Sequence, residues 1–406
     1  MRTNRLLTTA VFGLLLGLGA CEDEHLLRPT STEAVSPLFD RYVSVGNSIT
    51  AGFQSGGIWD TSQTQAYPVL LARAMQSVFF VPFMSSPGCP APYSNVFTQT
   101  RRPGPPCALR KTQSLPPPFI SNVAVPGAKV IDPYNNLDTA SASNALTTFL
   151  LGGLTQVQMI RRAHPTFVSV WIGNNDVLGA ATSLTNGGDT TKITSTANFT
   201  ARYTALLDSI QDVGPQGGVL IGVANVTGIP FFSRGATYWV LKNTPPSPFP
   251  ATFLVDNSCA PIATGIPGAR GDSVLVPFPF GGAKLAAAAG GPSTLTCADS
   301  VPQIVVPAEL RRLAAAVTAY NAFISSQATA LGWAYVDPNL ALDSLRTIPT
   351  QVAPFPTFNA ACTANPFGLA FTCDAVHPSA STHKLIANKL RQAINARYGT
   401  TIPAIP

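Results

Sequence analysis

The sequence predicts an α/β fold in which a parallel sheet is sandwiched between helices, on three observations. Short β-branched runs alternate along the chain with segments of helical period. Two of those runs close on a glycine, as buried strands leading into turns do. And 46% of the 406 residues are hydrophobic against 11% charged, which excludes a disordered polymer and supplies a sizeable core.

Taken in order, Arg41 to Val45 alternates, is β-branched and stops at Gly46, so it reads as the first strand. Leu70 to Val78 reads as a helix. The second cycle is a helix over Leu154 to Arg162, broken by Pro165, then a buried strand from Thr166 to Ile172 closed by Gly173. In the third, Phe199, Tyr203, Leu206, Leu207 and Ile210 recur at spacings that give one apolar helix face, before Gly217-Gly218 and a strand over Val219 to Val223. The last cycle runs from a helix over Ala308 to Leu331 to a strand over Trp333 to Val336, and ends with a helix over Ser381 to Tyr398. Residues 230–307 break the rhythm, being rich in Pro, Gly and Ala without a sustained period. They read as an irregular insertion; a separate small domain is the competing reading, disfavoured by the shortage of long apolar runs.

The N-terminus reads as an address. Arg2 and Arg5 precede an apolar run from Leu6 to Ala20, too short for the roughly twenty residues that a spanning helix needs. Its end, Leu18-Gly19-Ala20-Cys21, resembles the bacterial lipobox, which would make Cys21 a lipidated new N-terminus and the membrane a partner through that anchor. An ordinary signal peptide followed by a cysteine is the alternative. The expected organisation is therefore a leader over residues 1–20, a tether over 21–37 and a folded body over 38–400. The net charge of +6 and the lack of a Lys/Arg block argue against a nucleic-acid partner. A mean hydropathy of +0.22 suits work near a membrane or on greasy substrates.

Export fits the cysteines. Beside Cys21 there are six, in three clusters that favour the local disulfides Cys89–Cys107, Cys259–Cys297 and Cys362–Cys373 among fifteen connectivities. Zinc is disfavoured, since no Cys-x-x-Cys pair occurs and the histidines are His25, His164, His377 and His383.

Sites in α/β sheets gather at strand ends. The first strand ends in Gly46-Asn47-Ser48-Ile49, a serine on a tight turn that is either exposed for chemistry or capping a helix. The strand over Thr166 to Ile172 ends in Gly173-Asn174-Asn175-Asp176, which offers a side-chain amide. Near the C-terminus Asp374-Ala375-Val376-His377-Pro378 sets a carboxylate three residues before an imidazole. A serine hydroxyl needs a base to become nucleophilic, and an Asp on the other ring nitrogen fixes the tautomer. Alone, each motif has an ordinary structural explanation. His164 and His383 read as capping or solvated histidines, and Trp171 as sheet core.

In combination and order, these motifs resemble the SGNH hydrolases, also called GDSL esterases and lipases. Gly46-Asn47-Ser48-Ile49 is similar to the family's Gly-Asp-Ser-Leu block, Asn122 to Gly127 to its glycine block, Gly173 to Asp176 to its Gly-x-Asn-Asp block, and Asp374 to His377 to its Asp-x-x-His block. The resemblance implies a flavodoxin-like three-layer α/β/α sandwich and an ester hydrolase that works without metal or cofactor. It implies Ser48 as nucleophile, His377 as base, Asp374 as its orienting partner, and Ser48, Gly127 and Asn175 as the oxyanion hole. Asn47 departs from the family's Asp, yet an Asn can make the same local turn hydrogen bonds, so activity is expected to survive. Gly271-Asp272-Ser273-Val274 matches the nucleophile block more literally, but it follows the Gly-x-Asn-Asp block and reads as a decoy. No Gly-x-Ser-x-Gly elbow occurs. Three functions fit: an esterase or lipase acting on small or lipid esters, a carbohydrate acetylesterase, or a lipoprotein that binds lipid or glycan without turnover.

Overall fold

The computed structural model describes residues 33–111, 117–135 and 146–406; the leader, Cys21 and most of the tether lie outside the described residues. Four parallel strands form the central sheet in chain order: β1 (Tyr42–Gly46), β2 (Phe167–Trp171), β3 (Gly217–Ile221) and β4 (Ala334–Val336). Along the outer edge of β1, residues 121–125 run parallel without becoming a regular strand. Ser44 N–H donates to the Ser121 carbonyl at 2.8 Å, and Val123 and Val125 N–H donate to the carbonyls of Ser44 and Gly46 at 3.0 and 3.2 Å. Counting that segment as the second strand of the chain gives the flavodoxin-like order 2-1-3-4-5. The order reverses between the segment and β2, so the C-terminal end of β1 is the topological switch point where such sheets carry their sites.

The two-residue period of the strands divides the interior. Val43, Val45, Val168, Val170 and Leu220 point to one face, where they join the apolar sides of α3 (Gln156–Ala163), α5 (Thr196–Gln211) and α6 (Pro307–Leu331). Tyr42, Phe167, Trp171, Val219 and Ile221 point to the other, against α2 (Tyr67–Met75) and α8 (Ala380–Tyr398). The result is a three-layer sandwich, as the sequence pattern and the family resemblance imply. The short helices α1 (Ser48–Ala51) and α4 (Asn175–Ala181) follow β1 and β2, and α7 (Asn339–Arg346) follows β4.

Element boundaries shift for local reasons. Helix α2 starts at Tyr67 with Pro68 in its first turn, and ends at Gln76, which takes a left-handed φ of 55°. Gly217 and Gly218 lie inside β3, not before it, paired with Phe167 and Val168, and the close approach of the Trp333 ring, 2.5 Å from where a Cβ would sit, explains the glycine at 218. All three expected disulfides are formed. Among the described residues no helix is long and apolar enough to cross a membrane.

Residues 230–307 are more regular than expected. Phe232–Arg234 pairs antiparallel with Leu275–Pro277, Phe253–Val255 pairs parallel with Ser293–Leu295, and two helices cover Gly235–Asn243 and Phe278–Ala287. Tyr238, Phe249, Phe253, Val276 and Leu295 build an apolar cluster beside the Cys259–Cys297 bridge, while Phe231 and Phe278 reach the main core. Three-residue strands are too short to show a period, which is why the segment looked structureless in sequence.

Candidate active site

At the end of β1, Gly46 is dictated by crowding: a Cβ there would lie 2.7 Å from the Trp171 carbonyl and closer still to Thr50. Asn47 then caps α1, its Oδ1 accepting from Ile49 N–H at 3.2 Å. Ser48 is therefore not the cap. It is the first residue of α1, 8% exposed, with its hydroxyl free for another partner.

That partner comes from the far end of the chain. His377 Nε2 lies 2.9 Å from Ser48 Oγ across 329 residues of sequence, and His377 Nδ1 lies 2.9 Å from Asp374 Oδ2. The carboxylate is held by more than the ring. Its Oδ1 accepts from the backbone N–H groups of Val376 and His377 at 3.0 and 2.9 Å and from Thr372 Oγ1 at 3.1 Å; its Oδ2 also accepts from Gly56 N–H at 2.6 Å. Burial by itself would raise Asp374, but the adjacent His377 and these hydrogen bonds outweigh it and lower the carboxyl to about 2. An ionised carboxylate only accepts, so Nδ1 carries the ring proton and Nε2 turns its lone pair to the serine hydroxyl.

Motif spacing does not reveal what positions this loop. The turn after α1 clasps it: Ser55 N–H donates to Thr372 Oγ1 at 2.9 Å, Cys373 N–H donates to Ser55 Oγ at 3.3 Å, and the Phe53 ring packs 4.9 Å from the His377 ring. The Cys362–Cys373 bridge fixes the residue just before Asp374. The positive-φ turn at Gly56 was the available sequence signal, in the Gly56-Gly57 pair, yet only the fold says which carboxylate it meets.

On the opposite side, Asn175 opens α4 after β2 and lines the same cavity as Ser48 and His377. Its Nδ2 donates to the Ala128 carbonyl at 2.9 Å, which uses one amide hydrogen and leaves the second for a ligand. Gly127, exposed and with φ of 83°, directly precedes the buried Ala128 in the turn that follows residues 121–125, so the glycine block and the Gly-x-Asn-Asp block are tied together. Gly127 itself is not on the cavity wall. Behind them Asp176 is fully buried, accepting from Val130 N–H at 2.8 Å and Thr194 Oγ1 at 2.7 Å; burial, against those bonds, raises it to about 6.

A family model described as GDSL-like Lipase/Acylhydrolase matches residues 42–390. The chain belongs to that family. Its members hydrolyse esters, and this chain is an ester-hydrolysing serine hydrolase of the same kind. No curated protein sequence matches it. Among solved structures it is similar to a catalytic mutant of Axe2, an acetylxylan esterase from Geobacillus stearothermophilus, at 13% identity and a TM-score of 0.38, covering 87% of this chain and 94% of that one. It is also similar to LAE5, an alpha/beta hydrolase enzyme from the metagenome of Lake Arreo, at 13% identity and a TM-score of 0.38, covering 90% and 99%. Likenesses this distant carry no substrate assignment.

Of the two other described histidines, one meets the expectation and one does not. His164 does end α3 as an exposed left-handed cap, but His383 is wholly buried in α8, neither solvated nor capping. Its Nδ1 accepts from Tyr67 N–H at 3.3 Å, and burial lowers it to about 3, so it is a neutral core residue. Trp171 is 2% exposed, sheet core with one edge on the cavity. Ser273 sits in a turn of the insertion, where its Oγ donates to the Arg270 carbonyl at 3.0 Å.

Proposed function

We propose that this GDSL hydrolase cleaves carboxylic esters through an acyl-serine intermediate. As Ser48 Oγ attacks the ester carbonyl, its proton passes to His377 Nε2 and the carbonyl oxygen becomes an oxyanion. The oxyanion is received by the Ser48 backbone N–H and the second amide hydrogen of Asn175, both on the cavity wall; Gly127, which the family resemblance also assigns, lies off that wall. Collapse breaks the carbon–oxygen bond to the alcohol, which takes the proton from His377. Water then repeats the sequence in reverse roles, giving the carboxylic acid and restoring the serine. Asp374 keeps the ring in the productive tautomer throughout. Losing one oxyanion donor typically costs about 10² to 10³ in kcat.

The observation that carries this reading is the continuous chain from Ser48 Oγ through His377 to Asp374, with both links at 2.9 Å. A protein that merely bound lipid or glycan would need no such relay. Ser48→Ala is expected to abolish turnover of a chromogenic short-chain ester, while Ser273→Ala keeps it within about twofold; the reverse pattern would refute the assignment.

Export and anchoring through Cys21 belong to the same proposal. They are supported by the charged and apolar leader, by the lipobox-like Leu18 to Cys21, and by three disulfides of the kind that persist in oxidising compartments. Labelled palmitate should enter the wild-type chain in a bacterial host and fail to enter Cys21→Ala.

A further inference from the structure

The cavity that exposes Ser48 does not end there. It continues past the C-terminal ends of β2, β3 and β4 into the space between α7 and α8, and has a volume of ≈ 620 Å³. Its deeper walls are hydrocarbon, supplied among others by Ile221, Val226, Leu342, Leu345 and Ile386. Asp337 is on the wall, but its Oδ1 is taken by Asn339 N–H and Nδ2, both at 2.9 Å, and the charged Lys389 lies at the exposed rim. A sugar would leave its hydroxyls facing apolar carbon there, which is costly. At the solvent side, Leu340 of α7 and Ile348 just beyond it also line the cavity and are 75% and 48% exposed, forming an apolar lip.

We infer that this space is an acyl-chain site, and that the preferred substrates are esters of medium- to long-chain fatty acids. The inference rests on Ser48 being the nucleophile, because it takes the cavity to be continuous with the acyl-enzyme bond. It assigns the cavity to the acyl part for a mechanistic reason. The alcohol must leave for solvent after the first step, whereas the acyl group stays attached to Ser48 and has to be housed until water arrives. A flexible hydrocarbon chain matches the mostly apolar walls beyond the polar mouth at Asn47, Ser48, Asn174 and Asn175, and each buried methylene is worth about a fourfold gain in kcat/KM until the space is filled. Helix α7 carries Ala341 on the wall, and Ala224 lies just past β3 on the same wall, so each is a place where a larger side chain would shorten the site.

The test is a panel of p-nitrophenyl esters from acetate to decanoate, with octyl acetate as the control that puts the chain on the alcohol, run on the purified full chain, Ala341→Phe and Ala224→Phe. Expected are a rise in kcat/KM of at least about a hundredfold from acetate to octanoate, no comparable gain for octyl acetate, and a fall of at least about tenfold in the octanoate-to-acetate ratio in at least one variant. The ratio is internal to each protein, so partial misfolding does not imitate it. A flat or acetate-favouring profile overturns the acyl-chain site, as does a ratio that neither variant moves or a chain gain on octyl acetate. If a fluorophosphonate still labels Ser48 in that event, the catalytic reading survives alone; if nothing labels and no ester turns over, both fall.

Discussion

Ser48 and Ser273 each stand two residues after a glycine, and the turn at Ser273 spells the family's nucleophile block more closely, yet the two are surrounded by different physics. Ser48 opens α1 just past the end of β1, at the switch point of the sheet, where a hydroxyl projects into a crevice and an imidazole waits at 2.9 Å. Ser273 closes a three-residue turn in the insertion, and its hydroxyl is spent on the Arg270 carbonyl. The neighbouring Asp272 is likewise occupied, its Oδ2 accepting from Ile262 N–H at 2.7 Å. Spelling therefore says little about a nucleophile. The sheet position and the partner delivered from the other end of the chain say a great deal.

The comparison breaks most sharply at the two carboxylates. Asp374→Asn leaves the loop's shape but sets the wrong tautomer in His377, and kcat should fall by about 10⁴. Asp272→Asn should leave kcat within about twofold, since it touches no reacting group. Because Asp374 is held near 2, it stays ionised across the working range. Its stabilisation is complete above about pH 4 and lost only as the pH falls through about 2, so the acid limb of kcat/KM should show one protonation with a slope of one. A second inflection between pH 3 and 5 would contradict that.

A smaller effect comes from the carboxylate behind Asn175. Asp176 is raised to about 6, so ionising it in the folded protein destabilises, progressively from about pH 4 to 6. Asp176→Asn keeps an acceptor for Val130 N–H and turns its amide to Thr194. The variant should melt above the wild type at pH 7 and with it at pH 4. An advantage that does not grow with pH would show that burial is not what burdens this group.

Much of this was legible in the sequence because periodicity and order report the sheet. The apolar faces of α5 and α6, the strands and the three local disulfides follow from residue spacing, and the candidate triad follows from the order of four motifs that resemble one family's. What stayed hidden depends on contacts between distant segments. Phe53, Ser55, Gly56 and Thr372 brace the histidine loop only because the chain folds back more than three hundred residues. His383 looks like any helix histidine until α2 is packed over it. The acyl cavity is likewise assembled from the ends of three strands and two helices, none of which is unusual in sequence.

The central claim is that His377 activates Ser48, and covalent labelling tests it most directly. Purified chain treated with a fluorophosphonate and digested for mass spectrometry should carry one adduct, on Ser48, and His377→Ala should lose it. An adduct on Ser273 or another serine, or labelling of Ser48 that persists in His377→Ala, would contradict the account.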